Sequence, residues 1–115
     1  MQRGEVRMVD FDPTRGAEAN KRRPAIIVSN DEANSAAAQI GRGVLTVVPI
    51  TSNVERVYPF QVLLPSGTGG LPHDSKAQAE QVRSVDAERI GALLGSLPAQ
   101  LMATIDDALR LHLTL

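Results

Sequence analysis

The distribution of glycine and proline limits most strongly what this chain can fold into. Nine glycines and seven prolines occur in 115 residues and divide the sequence into short apolar pieces. Most pieces alternate or are rich in β-branched residues, and strands are predicted at Arg3–Phe11, Pro24–Ser29, Val44–Ile50 and Tyr58–Leu64. Pro24–Ser29 is apolar on both faces, as in a central strand, and Pro49 predicts a bulge or an edge.

Helices are expected at two places. The alanine-rich segment Asn30–Ile40 opens with two residues that can cap a helix, so we predict a short helix there. Near the C-terminus, Ser96 is the predicted N-cap of an amphipathic helix. Its apolar stripe is formed by Leu97, Leu101, Ile105, Leu109 and His112. Strands followed by a terminal helix predict a small, bent sheet or barrel, and a second subunit is expected to cover part of the stripe.

The segment Ser75–Gly91 allows two interpretations. Most of its residues favour a helix by propensity. Ala77 and Ala79 nevertheless alternate, and Val82 and Val85 then change the spacing, which is typical of a strand with a bulge. Residue patterns alone leave both interpretations open.

Composition excludes several classes of function. The length predicts a single domain over residues 1–115, and the absence of cysteine excludes disulfides, thiolate zinc sites and a cysteine nucleophile. The N-terminal residues carry charges where a signal peptide would have its apolar core, and no apolar run approaches the length of a membrane span, so a cytoplasmic location is expected. Because the net charge is −1, any site for a polyanion must be local. Three aromatic residues exclude a platform that stacks many bases.

One basic cluster is the best candidate for chemistry. Lys21, Arg22 and Arg23 immediately precede the apolar strand that begins at Pro24, and Arg15 lies nearby in sequence. The alternative without a functional role is a solvated loop whose charges discourage aggregation of the strand. Pro24 nevertheless ties Arg23 to ordered backbone, and a fixed guanidinium suits phosphate recognition.

Other polar groups carry weaker signals. Thr51, Ser52 and Asn53 end the best strand in "PITSN", which taken alone is common turn chemistry. Asp10 and Asp12, with Glu18 or Asp31, could hold Mg²⁺, although Asp12 before a proline is more typical of an Asx turn. His73 is expected to be an exposed loop residue, and His112 to interact with the helix dipole.

Taken in order, several motifs resemble the MazF/PemK toxins of toxin–antitoxin systems, which are sequence-specific mRNA interferases. The motifs are "RGEV" at 3–6, "VDFDPTRGAE" at 9–18, "RPAIIVSND" at 23–31, "VVPITSN" at 47–53, "YPFQVLL" at 58–64 and "EQVRSVDAERIG" at 80–91. The resemblance covers nearly the whole chain.

This resemblance implies a fold and a set of partners. It implies a mainly β structure, an SH3-like barrel of the MazF/CcdB type with a C-terminal α-helix, that forms a homodimer. It also implies that Lys76–Val85 is a strand and Asp86–Gly91 a short helical turn. The expected partners are single-stranded mRNA and a MazE-like antitoxin, with no cofactor and no metal. The alternative within the same fold is a non-enzymatic toxin that poisons gyrase, as CcdB does, or binds another protein.

The resemblance further implies roles for individual residues. The family cleaves RNA by attack of a ribose 2′-hydroxyl, which leaves a 2′,3′-cyclic phosphate and a 5′-hydroxyl. Arg23 and Thr51 match its catalytic arginine and threonine, Ser52 is an assisting residue, and Glu18 is the candidate general base. The expected RNA-binding residues are Arg15, Asn20, Lys21, Arg22, Asn53, Gln78 and Gln81. Arg7 departs from the family, because many relatives carry an aromatic residue there, so guanidinium stacking is expected to replace base stacking or stacking is lost.

Overall fold

The computed structural model describes residues 1–11 and 22–115. Its strands are β1 (Glu5–Asp10), β2 (Arg22–Ile27), β3 (Val44–Thr51), β4 (Gln61–Leu64), β5 (Ser75–Gln78), β6 (Arg83–Asp86) and β7 (Ile90–Ser96). Its α-helices are α1 (Asp31–Ile40) and α2 (Ala99–Leu113), and three short 3₁₀ turns lie at Thr68–Gly70, Ala79–Gln81 and Ala87–Arg89. Within the described residues, no helix is both long and apolar enough to span a bilayer.

The strands form one bent antiparallel sheet. Its order is β4-β5-β3-β2-β1-β7, and β6 pairs with β3 on the same edge as β5. On that edge β3 pairs with β6 from Val44 to Val47 and with β5 at Ile50 and Thr51. Pro49 falls between these two ladders, where the lack of an N–H donor is tolerated. The predicted mainly β fold with a terminal helix is confirmed, and the sheet is barrel-like but not closed across the described strands.

The core lies on both faces of the sheet. One cluster joins the sheet to α2 and contains Val6, Ile26, Val48, Ile50, Leu64 and Ile105 among others. The other joins it to α1 and contains Val9, Ala25, Ile27, Leu45, Val47 and Val85 among others. Because β2 and β3 contribute alternate residues to both clusters, the prediction of a central strand that is buried on both faces is confirmed.

Helix α1 begins and ends as its sequence predicts. The side chain of Asn30 accepts a hydrogen bond from the backbone N–H of Ala33 at 2.8 Å, which caps the first turn. Gly41 ends the helix in the left-handed conformation, at φ 73°. The helix docks through Ala37 and through Asn34, which is fully buried and donates to the carbonyl of Ser29 at 2.9 Å.

Helix α2 differs from its prediction at both ends. Pro98 is the residue before the first helical turn, and Ser96 is the last residue of β7, so the predicted Ser96 cap is wrong. Leu101, Ile105 and Leu109 do pack against the core. His112 does not belong to this buried face, because it is exposed and lies beside the ring of Phe60.

The segment that allowed two interpretations is a broken strand. It forms β5, the turn Ala79–Gln81 and β6, so the bulged-strand interpretation is correct and the continuous strand Lys76–Val85 is interrupted. The turn expected within Asp86–Gly91 is present at Ala87–Arg89. β4 begins only at Gln61, so the predicted start at Tyr58 is three residues too early.

The sequence patterns predict no strand at β7, and the backbone of this strand is in close contact with the turn at Thr68–Gly70. Gly69 and Gly70, at φ 60° and 77°, cross over Leu94 and Gly95 of β7. A Cβ on Gly70 would lie 2.6 Å from the carbonyl carbon of Leu94, and closer still to its oxygen. A Cβ on Gly95 would lie 2.6 Å from the carbonyl carbon of Gly69. Only glycine fits this crossing, which fixes the start of the loop that leads to β5.

Candidate active site

A cleft opens where the hydrogen-bonded ladder between β2 and β3 ends. The last paired residues are Ala25 and Pro49, and the next residue of β2 is Pro24, which has no N–H to continue the ladder. Continuing the same register outward by two residues places Arg23 opposite Thr51. The two residues are 28 positions apart in sequence, and the sheet alone brings them together.

This cleft is lined by all three of the predicted catalytic residues that the structure describes, Arg23, Thr51 and Ser52. Arg22, Arg23, Thr51 and Ser52 line a space of about 410 Å³. The same space is also lined by Pro24 and Ile50 and by Leu71, Pro72, His73 and Ser75 from the end of the loop before β5 and its first residue. Two cations, several hydroxyls and one imidazole therefore surround a space that is open to solvent.

Both arginines are held by the sheet at their backbones. Arg23 pairs with Val9 of β1, and Arg22 pairs with Asp10. Both side chains are exposed, and the ion pairs found among the described residues involve other arginines. Arg22 also lines a smaller cleft of about 240 Å³ together with Asp10, Glu88 and Arg89. Arg22 thus contributes to both of these clefts, and Arg23 lines the one of about 410 Å³.

The hydroxyl of Thr51 is oriented by the chain that follows it. Its oxygen accepts a hydrogen bond from the backbone N–H of Asn53 at 3.3 Å, which leaves the hydroxyl proton available for an anion in the cleft. The side-chain oxygen of Asn53 accepts in turn from the N–H of Glu55 at 3.2 Å. These two bonds order the first residues after β3.

His73 is the site residue that sequence reasoning missed. It is exposed in the loop before β5, as expected, but it also lines the cleft together with Arg23. The loop is tied down on both sides of it, because Ser66 donates its N–H to the carboxylate of Asp74 at 2.8 Å and Ser75 donates its hydroxyl to the His73 carbonyl at 3.0 Å. No local pattern marks His73, since only the glycine crossing and the sheet bring this loop to the cleft.

The remaining predicted residues lie elsewhere. Asn53 lines a neighbouring cleft, Gln78 is half-buried in β5, and Gln81 is exposed on the turn after it. None of these three residues lines the cleft that contains Arg23 and Thr51. Arg15, Glu18, Asn20 and Lys21 lie outside the described residues. Asp12 does too, so the Mg²⁺ interpretation that includes it stays untested.

The side chain of Arg7 is hydrogen-bonded to neighbouring parts of the sheet and does not line the cleft that contains Arg23 and Thr51. Its guanidinium donates to the carboxylate of Glu5 at 2.8 Å and to the carbonyl of Gly91 at 3.0 Å. Burial tends to raise the pKa of Glu5, but hydrogen bonds from Arg7 and with the backbone of Gln2, together with the positive charges nearby, lower it overall.

The fold and site therefore combine a small bent antiparallel sheet, a terminal helix and a cleft lined by two arginines and neighbouring hydroxyls. The chain belongs to the PemK-like, MazF-like toxin family of type II toxin–antitoxin systems, whose model matches residues 2–113. The family resemblance noted from the sequence is confirmed.

Individual relatives agree with this assignment. The chain is 57% identical over 115 residues to endoribonuclease MazF9 of Mycobacterium tuberculosis, covering all of this chain and 98% of that protein. It is 28% identical to endoribonuclease EndoA of Bacillus subtilis over 100% of this chain and 96% of the other. Among solved structures, the MazE–MazF complex of Deinococcus radiodurans superposes with a TM-score of 0.81 at 28% identity, covering 100% and 96% of the two chains.

Proposed function

We propose that this toxin is a sequence-specific, metal-independent endoribonuclease that cleaves single-stranded mRNA in the cleft between Arg23 and Thr51. The observation that carries the proposal is the meeting of Arg23, Thr51 and Ser52 around one cleft at the end of the β2–β3 ladder. The 57% identity to a curated endoribonuclease over the full chain supports the same activity.

The cleft suits an attack of the ribose 2′-hydroxyl on the adjacent phosphorus. Negative charge builds on the non-bridging oxygens as the bond to the 2′-oxygen forms, and Arg23 stabilises it with charge-assisted hydrogen bonds. Thr51 donates its hydroxyl proton to the same phosphate and, assisted by Ser52, holds it in line for attack. The 5′-oxygen leaves with a proton, so the products carry a 2′,3′-cyclic phosphate and a 5′-hydroxyl.

Proton transfer needs two further groups. Glu18, outside the described residues, is our candidate for removing the proton of the 2′-hydroxyl. His73 lines the same cleft as Arg23, which makes its imidazole our second candidate for proton transfer to or from the reacting oxygens. A change in the pH dependence of cleavage in His73→Gln, with binding of RNA unchanged, would support this second role.

The proposal also covers the oligomeric state of the protein, its antitoxin and its location. We expect one toxin domain over residues 1–115 that forms a homodimer. Exposed leucines lie at the end of α2, at Leu111 and Leu113, and just beyond it at Leu115, and a second subunit could cover them. We expect neutralisation by a MazE-like antitoxin, since several similar structures are MazE–MazF complexes. Because the proposed substrate is mRNA, we expect the protein to act in the cytoplasm.

The decisive experiment incubates the purified protein with a long single-stranded RNA in the presence of EDTA. We expect discrete cuts that persist in EDTA, carry cyclic phosphate ends and disappear in Arg23→Ala. Arg42→Ala is the matched control, because Arg42 is an exposed arginine in the turn before β3, roughly 20 Å or more from Thr51 at the rise of a strand. Cleavage abolished by EDTA would instead favour the aspartate metal site. Intact RNA together with toxicity in cells would favour a CcdB-like poison of gyrase.

A further inference from the structure

The backbone of Arg23 is paired with a neighbouring strand on one edge. Its partner there is Val9 of β1, and Arg22 pairs with Asp10 in the same ladder. On the other edge, the ladder that the structure describes between β2 and β3 has already ended at Ala25. Residues at the end of a ladder open more easily than those in its middle. The position of Arg23 in the cleft therefore depends on how firmly the end of β1 is held.

The end of β1 is anchored by Phe11. This residue directly follows Asp10, the last residue of β1. Phe11 is only 6% exposed and belongs to the core cluster that also contains Val47 and Val85. Because its ring is packed into this cluster, the terminal pair of the β1–β2 ladder, Asp10 with Arg22, lies next to a fixed point.

An arginine on another strand covers the Phe11 ring. The guanidinium carbon of Arg83, the first residue of β6, lies 5.3 Å from the centre of this ring. Arg83 pairs with Val47 of β3, and directly paired residues of antiparallel strands point to the same face of a sheet. The strand register therefore directs the Arg83 side chain to the face on which Phe11 is packed. A guanidinium in this position is attracted by the negative face of the aromatic ring.

The contact between Arg83 and Phe11 lies outside the proposed active site. Arg83 is exposed and does not line the cleft that contains Arg23. It is connected to that cleft through the Phe11 ring and the adjacent Asp10. Arg89 supports the same place, because its guanidinium donates to the carbonyl of Asp10 at 3.3 Å. Two arginines thus hold the end of β1, one through an aromatic ring and the other through a backbone carbonyl.

We propose that Arg83 is a positioning residue for RNA cleavage, which holds the end of β1 through the Phe11 ring and so keeps Arg23 in place at the cleft. The proposal rests on the endoribonuclease function above and adds a residue that acts without touching the substrate. Loss of the contact lets the end of the ladder open, and the transition state must then order Arg23 again. Binding of a long RNA draws on many phosphate contacts, so it is affected less than the chemical step.

The test combines cleavage kinetics with amide hydrogen exchange. The kcat and KM for an RNA that contains the mapped cleavage site are measured for the wild type, Arg83→Met, Arg83→Lys, Phe11→Leu and the double variant of Arg83→Met with Phe11→Leu. Arg110→Met is the matched control, because Arg110 is an exposed arginine on α2 paired with Asp107. Exchange of the backbone amides at the end of the β1–β2 ladder is followed by NMR without RNA. Melting curves confirm that each variant is folded.

Arg83→Met is expected to lower kcat by about 2- to 30-fold, the range of one cation–π contact, with KM within about twofold of wild type. Amide exchange at the end of the ladder becomes faster by a similar factor. Arg83→Lys retains the cation and most of the activity. Adding Arg83→Met to Phe11→Leu causes little further loss of kcat, because the ring has already been removed. Arg110→Met matches the wild type in both measurements.

Two results would overturn this role while leaving the proposed function intact. The first is an equal loss of kcat when Arg83→Met is added to the wild type and to Phe11→Leu, since Arg83 would then act without the ring. The second is a rise in KM with unchanged amide exchange, which would place Arg83 in direct contact with RNA. Failure of the wild type to cleave RNA would instead refute the proposed function, and unchanged exchange in Arg83→Met would separately refute the anchor.

Discussion

Replacing Gly70 with alanine tests whether the glycine crossing is required for the cleft. Gly67 offers a matched control in the same loop, because its φ of 90° is also positive but a Cβ there would meet nothing within 4 Å. Holding alanine at such an angle costs about 1–2 kcal/mol, and its lower entropy in the unfolded chain returns roughly 0.4–1 kcal/mol. Gly67→Ala should therefore lower the free energy of unfolding by about 1 kcal/mol.

Gly70→Ala carries the same backbone cost and a collision with the carbonyl of Leu94. Overpacking of this kind costs about 1–3 kcal/mol, so the total is about 2–4 kcal/mol. For 115 residues the unfolding entropy is about 0.24 kcal/mol per kelvin, and 1 kcal/mol corresponds to about 4 °C in Tm.

Thermal unfolding at one protein concentration measures both variants. We expect a decrease in Tm of about 4 °C for Gly67→Ala and about 8–16 °C for Gly70→Ala. Cleavage of RNA, assayed well below each Tm, should fall further in Gly70→Ala, because the crossing positions the wall that carries His73. Equal decreases in Tm for the two variants would show that the crossing is not tightly packed, and would refute the reasoning.

Two further predictions concern charged side chains. Arg23→Lys keeps the charge but loses the planar guanidinium, so kcat/KM for RNA cleavage should fall by about 100-fold. The controls Lys21→Arg and the remote Arg42→Lys should stay within about twofold of wild type. Similar losses in all three variants would contradict a special role for Arg23. The pKa of Glu5 is held below its usual 4.5, so its pair with Arg7 stabilises the fold above pH 4.5 and loses this effect as the pH falls through the lower, folded-state value. Melting curves from pH 6 to 3 should therefore show a smaller acid-induced loss of stability in Arg7→Met than in wild type, and parallel curves would argue against the pair.

The parts of the fold that were predicted correctly are those with a local cause. β2 and β3 were evident because apolar residues occupy both faces of a central strand. Helix α1 was evident because Asn30 and Gly41 supply both of its caps. In each case neighbouring residues decide the structure, so the sequence contains the signal.

The missed parts depend on contacts between distant residues. β7 contains two glycines, which disfavour a strand by propensity, yet it pairs with β1 and accommodates the Gly69–Gly70 turn. The same turn leads into the loop that contains His73, and so it brings His73 to the cleft. Nothing near His73 in sequence indicates that position. The family resemblance predicts roles for Arg23 and Thr51, and Pro24 ties Arg23 to ordered backbone, but only the strand register brings the two residues opposite each other.

The way the cleft is formed has a consequence for the choice of substrate. Its walls separate because a ladder stops at Pro24, while β2 stays paired with β1 and β3 stays paired with β5 on their other edges. Walls anchored in this way have little freedom to adapt, so the cost of reaching a reactive geometry falls on the RNA. Nucleotides in a duplex would have to unstack and unpair to meet that cost, and those in a flexible strand would not. Secondary structure in a transcript would then protect its sites as effectively as a change of sequence.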